Sequence, residues 1–207
     1  MKRLLLACVL CSLGAGVASA ATITNGSFEA EDISPDSWRI LGAGSPGLPG
    51  WIIGGDGVDV KHSAYYPASD GNQSIDLVAS SGSGDIRQVV NGLSVGSTYR
   101  ISFDYAANPA VRRGVVIRFA ASIGNFRDAI TVGTNTLTRG VVNWTPASFD
   151  FTAGNTSERL RFASRASGSA SGAMIDNVSI SLVPVPAAGI LLLAGLGGLA
   201  AMRRRKS

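Results

Sequence analysis

Tyr65 and Tyr66 stand together in a polar stretch with Pro67, Asp70, Asn72 and Gln73. An exposed aromatic ring can stack on the apolar face of a pyranose, while carboxylate and carboxamide groups beside it pair with hydroxyls, so this loop is the candidate ligand-binding site. Ordinary packing of the two tyrosines is the alternative. Trp38, Trp51 and Trp144 are assigned to the core or to a lid over it. Catalysis has little to work with. His62 is the single histidine, so a triad or a multi-histidine zinc site would have to centre on it, and its place between Lys61 and Ser63 reads as an exposed loop. Hydrolase and phosphate-loop motifs are absent. Carboxylate-pair hydrolysis needs only two of the 14 acids to meet in space, which leaves a glycan-active enzyme as the minor alternative to a non-enzyme.

Two segments raise the question of a metal. Gly54-Gly55-Asp56-Gly57-Val58-Asp59 matches the start of a calcium-binding nonapeptide, but it occurs once and Lys61 stands where a large apolar residue belongs. It is read as a glycine turn between Trp51 to Ile53 and Val58 to Val60. Asp176 shares one parity of the closing segment with Met174, Val178, Ile180 and Leu182, which places its carboxylate on the predicted core face. A buried carboxylate must meet N–H donors or a cation.

The element that holds these residues is one domain-sized body, 21–182, between 1–20 and 183–207. Tyr99, Ile101, Phe103 and Tyr105 alternate with Arg100, Ser102 and Asp104, the period of 2 of a strand with one face buried. Phe149 and Phe151, and Leu160 and Phe162, repeat the pattern. Further strands are expected at Trp51 to Ile53, Gln73 to Val78, Ile86 to Val90, Val115 to Ala121 and Met174 to Leu182. Short strands between Gly, Ser, Asn and Pro clusters predict an all-β, jelly-roll-like two-sheet sandwich.

Both ends read as targeting segments. Lys2 and Arg3 precede an apolar run from Leu4 to Val17, and Ala18-Ser19-Ala20 offers signal peptidase a cleavage site after Ala20. Cys8 and Cys11 lie inside this leader, so the mature body has no thiol chemistry and no disulfide. At the other end Ala187 to Met202 is apolar or Gly throughout and reaches about 24 Å as a helix, enough to span a bilayer once Val183 to Pro186 are added. Arg203, Arg204, Arg205 and Lys206 would stay cytoplasmic, with the body outside. Of the 18 basic residues 6 lie in these ends, which leaves 12 against 14 acids, a body of about −2 and no case for nucleic acid. Val183-Pro184-Val185-Pro186-Ala187, the apolar run and the basic end together resemble the PEP-CTERM class of bacterial sorting signals in its V-P-x-P-A variant. That resemblance implies an exosortase, a membrane transpeptidase, as partner, with the membrane held only until processing and the cell surface or extracellular matrix as destination. A plain single-pass anchor is the alternative.

Asn25-Gly26-Ser27-Phe28-Glu29, Pro49-Gly50-Trp51, Ala68-Ser69-Asp70-Gly71-Asn72-Gln73-Ser74, Ala107-Asn108-Pro109 and Ile175-Asp176-Asn177-Val178-Ser179 follow one another along the body. In this order they resemble the choice-of-anchor C proteins, relatives of the DUF642 group, whose fold is like galactose-binding β-sandwiches. In related carbohydrate-binding jelly rolls an acid of the opening segment and an Asp of the closing strand share a structural calcium ion. The resemblance therefore implies Glu29 and Asp176, with carbonyls around Asn25, as calcium ligands. The expected function is non-catalytic binding of a polysaccharide. A matrix or adhesion protein with protein partners is the competing class.

Overall fold

The computed structural model describes residues 20–79, 82–112, 114–134, 141–165 and 171–184. The segment up to residue 19, expected as a leader, and the tail from residue 185, with most of the expected sorting motif, lie outside the described residues. Among the described residues no helix is long and apolar enough to cross a membrane. The elements are β-strands: β1 Trp38–Leu41, β2 Ile52–Gly55, β3 Val58–His62, β4 Gln73–Asp76, β5 Val78–Ala79, β6 Gly82–Asn91, β7 Thr98–Ala107, β8 Val116–Ile123, β9 Phe126–Thr134, β10 Thr145–Thr152, β11 Ser157–Ser164 and β12 Ala173–Leu182.

They form two antiparallel sheets. One runs β1-β3-β4-β12-β7-β10, the other β2-β6-β11-β8-β9 with β5 paired to β6. Most connections cross from one sheet to the other and close the sandwich, while β3-β4, β5-β6 and β8-β9 are hairpins between neighbouring strands. The glycine turn between β2 and β3 is one of these crossings. The alternation read from the sequence builds the core. Ile101 and Phe103 of β7, Phe119 and Ile117 of β8, Phe151 of β10, and Leu160 and Phe162 of β11 all point inward and are buried. Phe103 sits among Phe162, Phe119 and Phe149, with centroids at 5.0, 6.1 and 6.2 Å. Trp51 joins this core beside Phe28 and Phe162. β1 and β9 were not foreseen: each is an edge strand whose side chains are largely exposed, so neither carries a clean apolar alternation.

The closing strand corrects one expectation. The pairing of β12 with β7 shifts between Asp176 and Ser179, and Asn177 at the shift has a φ of 52°. This bulge reverses the parity. Ala173 and Ile175 before it, and Val178 and Ile180 after it, face the core, while Met174 and Asp176 face the other side of the sheet. Asp176 is buried, but under a loop on the outer face rather than in the hydrophobic core. The bulge is held from below: Val178 donates its N–H to the Gly26 carbonyl, and a Cβ on residue 26 would overlap the Val178 carbonyl oxygen.

Phe103→Ala should cost about 3–5 kcal/mol of stability, because the ring is enclosed on all sides and its cavity cannot collapse between two hydrogen-bonded sheets. Urea unfolding of the wild type and the variant measures it, and a loss below about 1 kcal/mol would mean that the inter-sheet layer is loosely packed.

Candidate functional site

The motifs singled out in the sequence converge on one corner of the outer face of the six-stranded sheet. Asp176 Oδ2 accepts the backbone N–H groups of Ser69 (2.8 Å) and Asp70 (2.9 Å), and Oδ1 accepts that of Asn177 (2.7 Å). Glu29 Oε1 accepts the N–H groups of Asn72 (2.9 Å) and Gln73 (2.6 Å). Two carboxylates thus grip the two ends of one turn. Gly71 at its tip has a φ of 65°, and a Cβ there would come within 2.7 Å of the Glu29 carboxyl. The opening segment is tied in as well. Asn25 donates from Nδ2 to the Pro49 carbonyl and accepts the Ala30 N–H at Oδ1, while its own carbonyl accepts Trp51 Nε1–H.

The calcium expectation concerns Glu29 and Asp176, with carbonyls around Asn25. Asp176, Glu29 and Asn25 turn their oxygens toward N–H donors, and among the described residues no three His, Cys, Asp or Glu side chains gather where a metal could sit. The carboxylate oxygens named here accept amide protons, which satisfies them within the protein itself.

Of the five expected ligand-binding residues the structure leaves three open. Tyr65 is 43% exposed, and Asp70 and Asn72 are exposed on the same loop. Tyr66 is only 3% exposed: its ring lies 4.3 Å from that of Tyr65 and packs against Ala106 and Met174, with Val142 and Trp144 over them. Gln73 is buried too. Its Oε1 accepts the Ile33 N–H and its Nε2 donates to the Phe28 and Glu31 carbonyls, so its amide holds the irregular segment before β1. Tyr66 and Gln73 are therefore framework, because the loop folds back on the sheet instead of projecting. Trp144 is a lid, half-buried, with its Nε1–H donated to the Pro67 carbonyl. Trp38 is neither core nor lid: it stands exposed on edge strand β1, its ring 4.8 Å beneath Lys61 Nζ. His62 ends β3 with its Nδ1 accepting the Ala64 N–H.

Beside the loop, β12, β7 and β10 floor a groove of about 330 Å³. Strand register sets side chains there in cross-strand rows. Ser179, Ser102 and Ser148 form one, Asp176, Asp104 and Pro146 the next, and farther along the same strands Arg100 pairs with Asp150 through bonds of 2.7 and 2.9 Å. The bulge turns Asn177 outward into the groove. Asp104 Oδ2 accepts Ser69 Oγ–H (2.7 Å) and Asn177 Nδ2–H (3.0 Å), which joins the loop to the groove floor. Sequence reading placed Ser102 and Asp104 on the solvent side of their strand but had no reason to prefer them to any other outward residue. Asn177 could be assigned only once the bulge was known.

The two sheets and their crossing connections define a jelly-roll-like antiparallel β-sandwich. The chain belongs to the DUF642 family, a family of proteins of unknown function, whose sequence model matches residues 21–181. It is 32% identical over 165 residues to Halomucin of Haloquadratum walsbyi, which covers 76% of this chain but only 2% of that protein's length. Among solved structures it is similar to a CBM22-1-CBM22-2 tandem domain of Paenibacillus barcinonensis Xyn10C (16% identity, 83% of this chain, 48% of that one, TM-score 0.48). It is also similar to TmCBM61 in complex with β-1,4-galactotriose (19% identity, 80% and 100%, TM-score 0.47) and to Family 16 Carbohydrate Binding Module-2 (16%, 77% and 98%, 0.47).

Two buried carboxyls, Asp176 and Asp76, hold their protons well above the ordinary carboxylate range. Burial pushes Asp176 up to about 7, against the lowering effect of its three N–H partners. Burial likewise pushes Asp76 up to about 7, against Asn108 Nδ2–H at 2.6 Å and the Val78 N–H. Each folded-state carboxyl holds its proton more tightly than the unfolded chain, whose Asp titrates near 3.9. Their contribution to stability is therefore full below about pH 4 and lost as pH rises to about 7. The melting temperature should fall across that window and level off above it. Asp76→Asn should flatten the decline. A melting curve that rises steadily from pH 4.5 to 7 in the wild type, or the same slope in the variant, would contradict the assignment.

Proposed function

We propose that this protein is exported and acts at the cell surface or in the extracellular matrix as a non-catalytic polysaccharide-binding module, with the groove on β12, β7 and β10 as its glycan site. The observation that carries the reading is the floor of that groove. Hydroxyl, carboxamide and carboxylate groups stand in rows on hydrogen-bonded strands, so they are positioned before a ligand arrives and lose little freedom on binding. Asp104 Oδ1 has no partner among the described residues and suits a pair of neighbouring sugar hydroxyls. Tyr65, on the loop joined to the floor through Ser69, supplies an exposed ring for a pyranose face, and Asp70 and Asn72 supply further polar groups.

Glycoside hydrolysis needs two reachable carboxylates across the scissile bond. The cross-strand partner of Asp104 is Asp176, which is buried and capped by three amides, so the two facing carboxyls of the groove floor do not form an open pair. This supports binding without turnover.

The ends of the chain complete the reading: a leader removed after Ala20, and a tail recognised at Val183-Pro184-Val185-Pro186-Ala187 by an exosortase. β12 bonds run to the end of the body, with the Val183 N–H donated to the Thr98 carbonyl, and Pro184 follows at once. An unprocessed tail would press the sandwich against the bilayer. Cleavage and release suit a protein that grips an external polymer.

On a glycan array the protein should bind saturably. Tyr65→Ala should weaken that binding about three- to tenfold. Asn177→Gly, which keeps a residue tolerant of the bulge conformation, should weaken it by a similar factor. Binding that survives both changes would remove the groove from the account. Intact mass of the protein from its host should show an end near Ala187, and a chain complete to Ser207 would remove the exosortase.

A further inference from the structure

The opposite face of the sandwich, the outer side of β2-β6-β11-β8-β9, carries charge of the other sign. Strand pairing sets Ile52, Arg87, Arg161, Ser122 and Arg127 in one row across all five strands. The acid among them is Asp85. Arg161 donates to both of its oxygens, at 3.0 and 3.1 Å, and Arg87 approaches at 3.7 Å, so one carboxylate offsets two guanidiniums. Asp128 and Glu158 lie on the other parity of β9 and β11, with Asp128 accepting the Ala129 N–H and Glu158 that of Asn155. Arg127 and Arg165 are exposed and have no carboxylate partner among the described residues. Between Arg127, Arg161 and Arg165 the surface sinks into a pocket of about 240 Å³, floored by Ala120, Ala163 and Ser122. Small residues form the floor and long cationic ones the rim.

We propose that this pocket is an oxyanion site that takes the carboxylate or sulfate groups of an acidic polysaccharide. The guanidinium is a planar fork of donors that matches carboxylate and sulfate in bidentate fashion, and here two guanidiniums face the pocket unneutralised. The volume is larger than an ion needs and admits part of the sugar ring that bears it. The row continues to Arg87 at the strand spacing of about 4.8 Å, so a polymer with repeated charges meets several cations in turn. The body as a whole is about −2, 12 basic residues against 14 acids, so the cationic face is a local arrangement and not a reflection of net charge. This site lies on the other sheet from the groove and does not rest on the reading of that groove. With both occupied, one sandwich would join two glycan chains.

The test titrates the full-length protein with polygalacturonate, dextran sulfate, neutral dextran, polyphosphate and anionic phospholipid vesicles, each at low and high salt. Both acidic glycans should bind at low salt and weaken at high salt. The double variant Arg127→Gln/Arg165→Gln should bind them roughly tenfold less tightly. Arg39→Gln/Arg112→Gln, the same change in net charge away from the pocket, should bind within about twofold of the wild type. No binding of either acidic glycan at low salt overturns the site, as does an equal loss in the two double variants. Tighter binding of polyphosphate than of either glycan overturns the ligand class, as does vesicle binding that the Arg127→Gln/Arg165→Gln variant loses. Neutral dextran that binds as tightly as the acidic glycans and loses the same factor in the Arg127→Gln/Arg165→Gln variant also overturns the ligand class.

Discussion

A buried carboxylate with three amide protons around it organises this molecule. Asp176 lies beneath the Ser69–Asp70 backbone, where an unpaired charge would be severely unfavourable, and its N–H partners are what make the position tolerable. The same three bonds have structural consequences. The bond from Asn177 stabilises the bulge that reverses the parity of β12, and those from Ser69 and Asp70 lay the tyrosine loop flat on the sheet. Glu29 secures the other end of that turn, so the loop cannot lift from one side alone. With the loop flat, Tyr66 is covered, Tyr65 remains exposed, and Ser69 reaches Asp104. The groove wall is thus a product of satisfying one acid.

The sequence motifs of the chain prove to be one hydrogen-bonded unit rather than separate sites. Asn25 of the opening segment holds Pro49 and Trp51, Gly26 supports Val178, Glu29 holds Asn72 and Gln73, and Asp176 holds Ser69 and Asp70. The opening segment has no ladder of its own, so its polar groups depend on such side chains. Gln88 adds to this from β6, accepting the Thr24 N–H and donating to the Thr24 and Gly50 carbonyls. Residue types that suit ligand recognition, carboxylates and amides near glycine, are the same ones that suit capping of irregular backbone. In this chain the capping role accounts for most of them, and recognition falls to outward positions of plain strands.

The two outer faces are divided by charge as well as by position. Toward the six-stranded sheet the acids are held by amides or by single partners, as with Asp150 on Arg100 and the buried Asp59 on Lys61. Toward the other sheet guanidiniums outnumber carboxylates. A composition near neutrality conceals this, because alternation along each strand sorts side chains to one face or the other and the topology then gathers strands of like pattern.

The sequence alone was sufficient for the sandwich, for most of its strands and for the inward residues of β7, β10 and β11, because apolar alternation is a local signal with a single physical cause. It also divides the chain into two apolar ends and a body, 21–182, that contains no cysteine. Tertiary structure alone decided the parity of Met174 and Asp176, since one bulged residue inverts a period-2 pattern without changing composition. It decided that Tyr66 and Gln73 are buried and that Glu29 and Asp176 face amide protons, because those outcomes depend on which backbone is left without a ladder partner. The groove and the arginine pocket were likewise invisible in one dimension: their residues are separated by up to about 80 positions along the chain and meet only through strand pairing, the one step that a linear pattern does not encode.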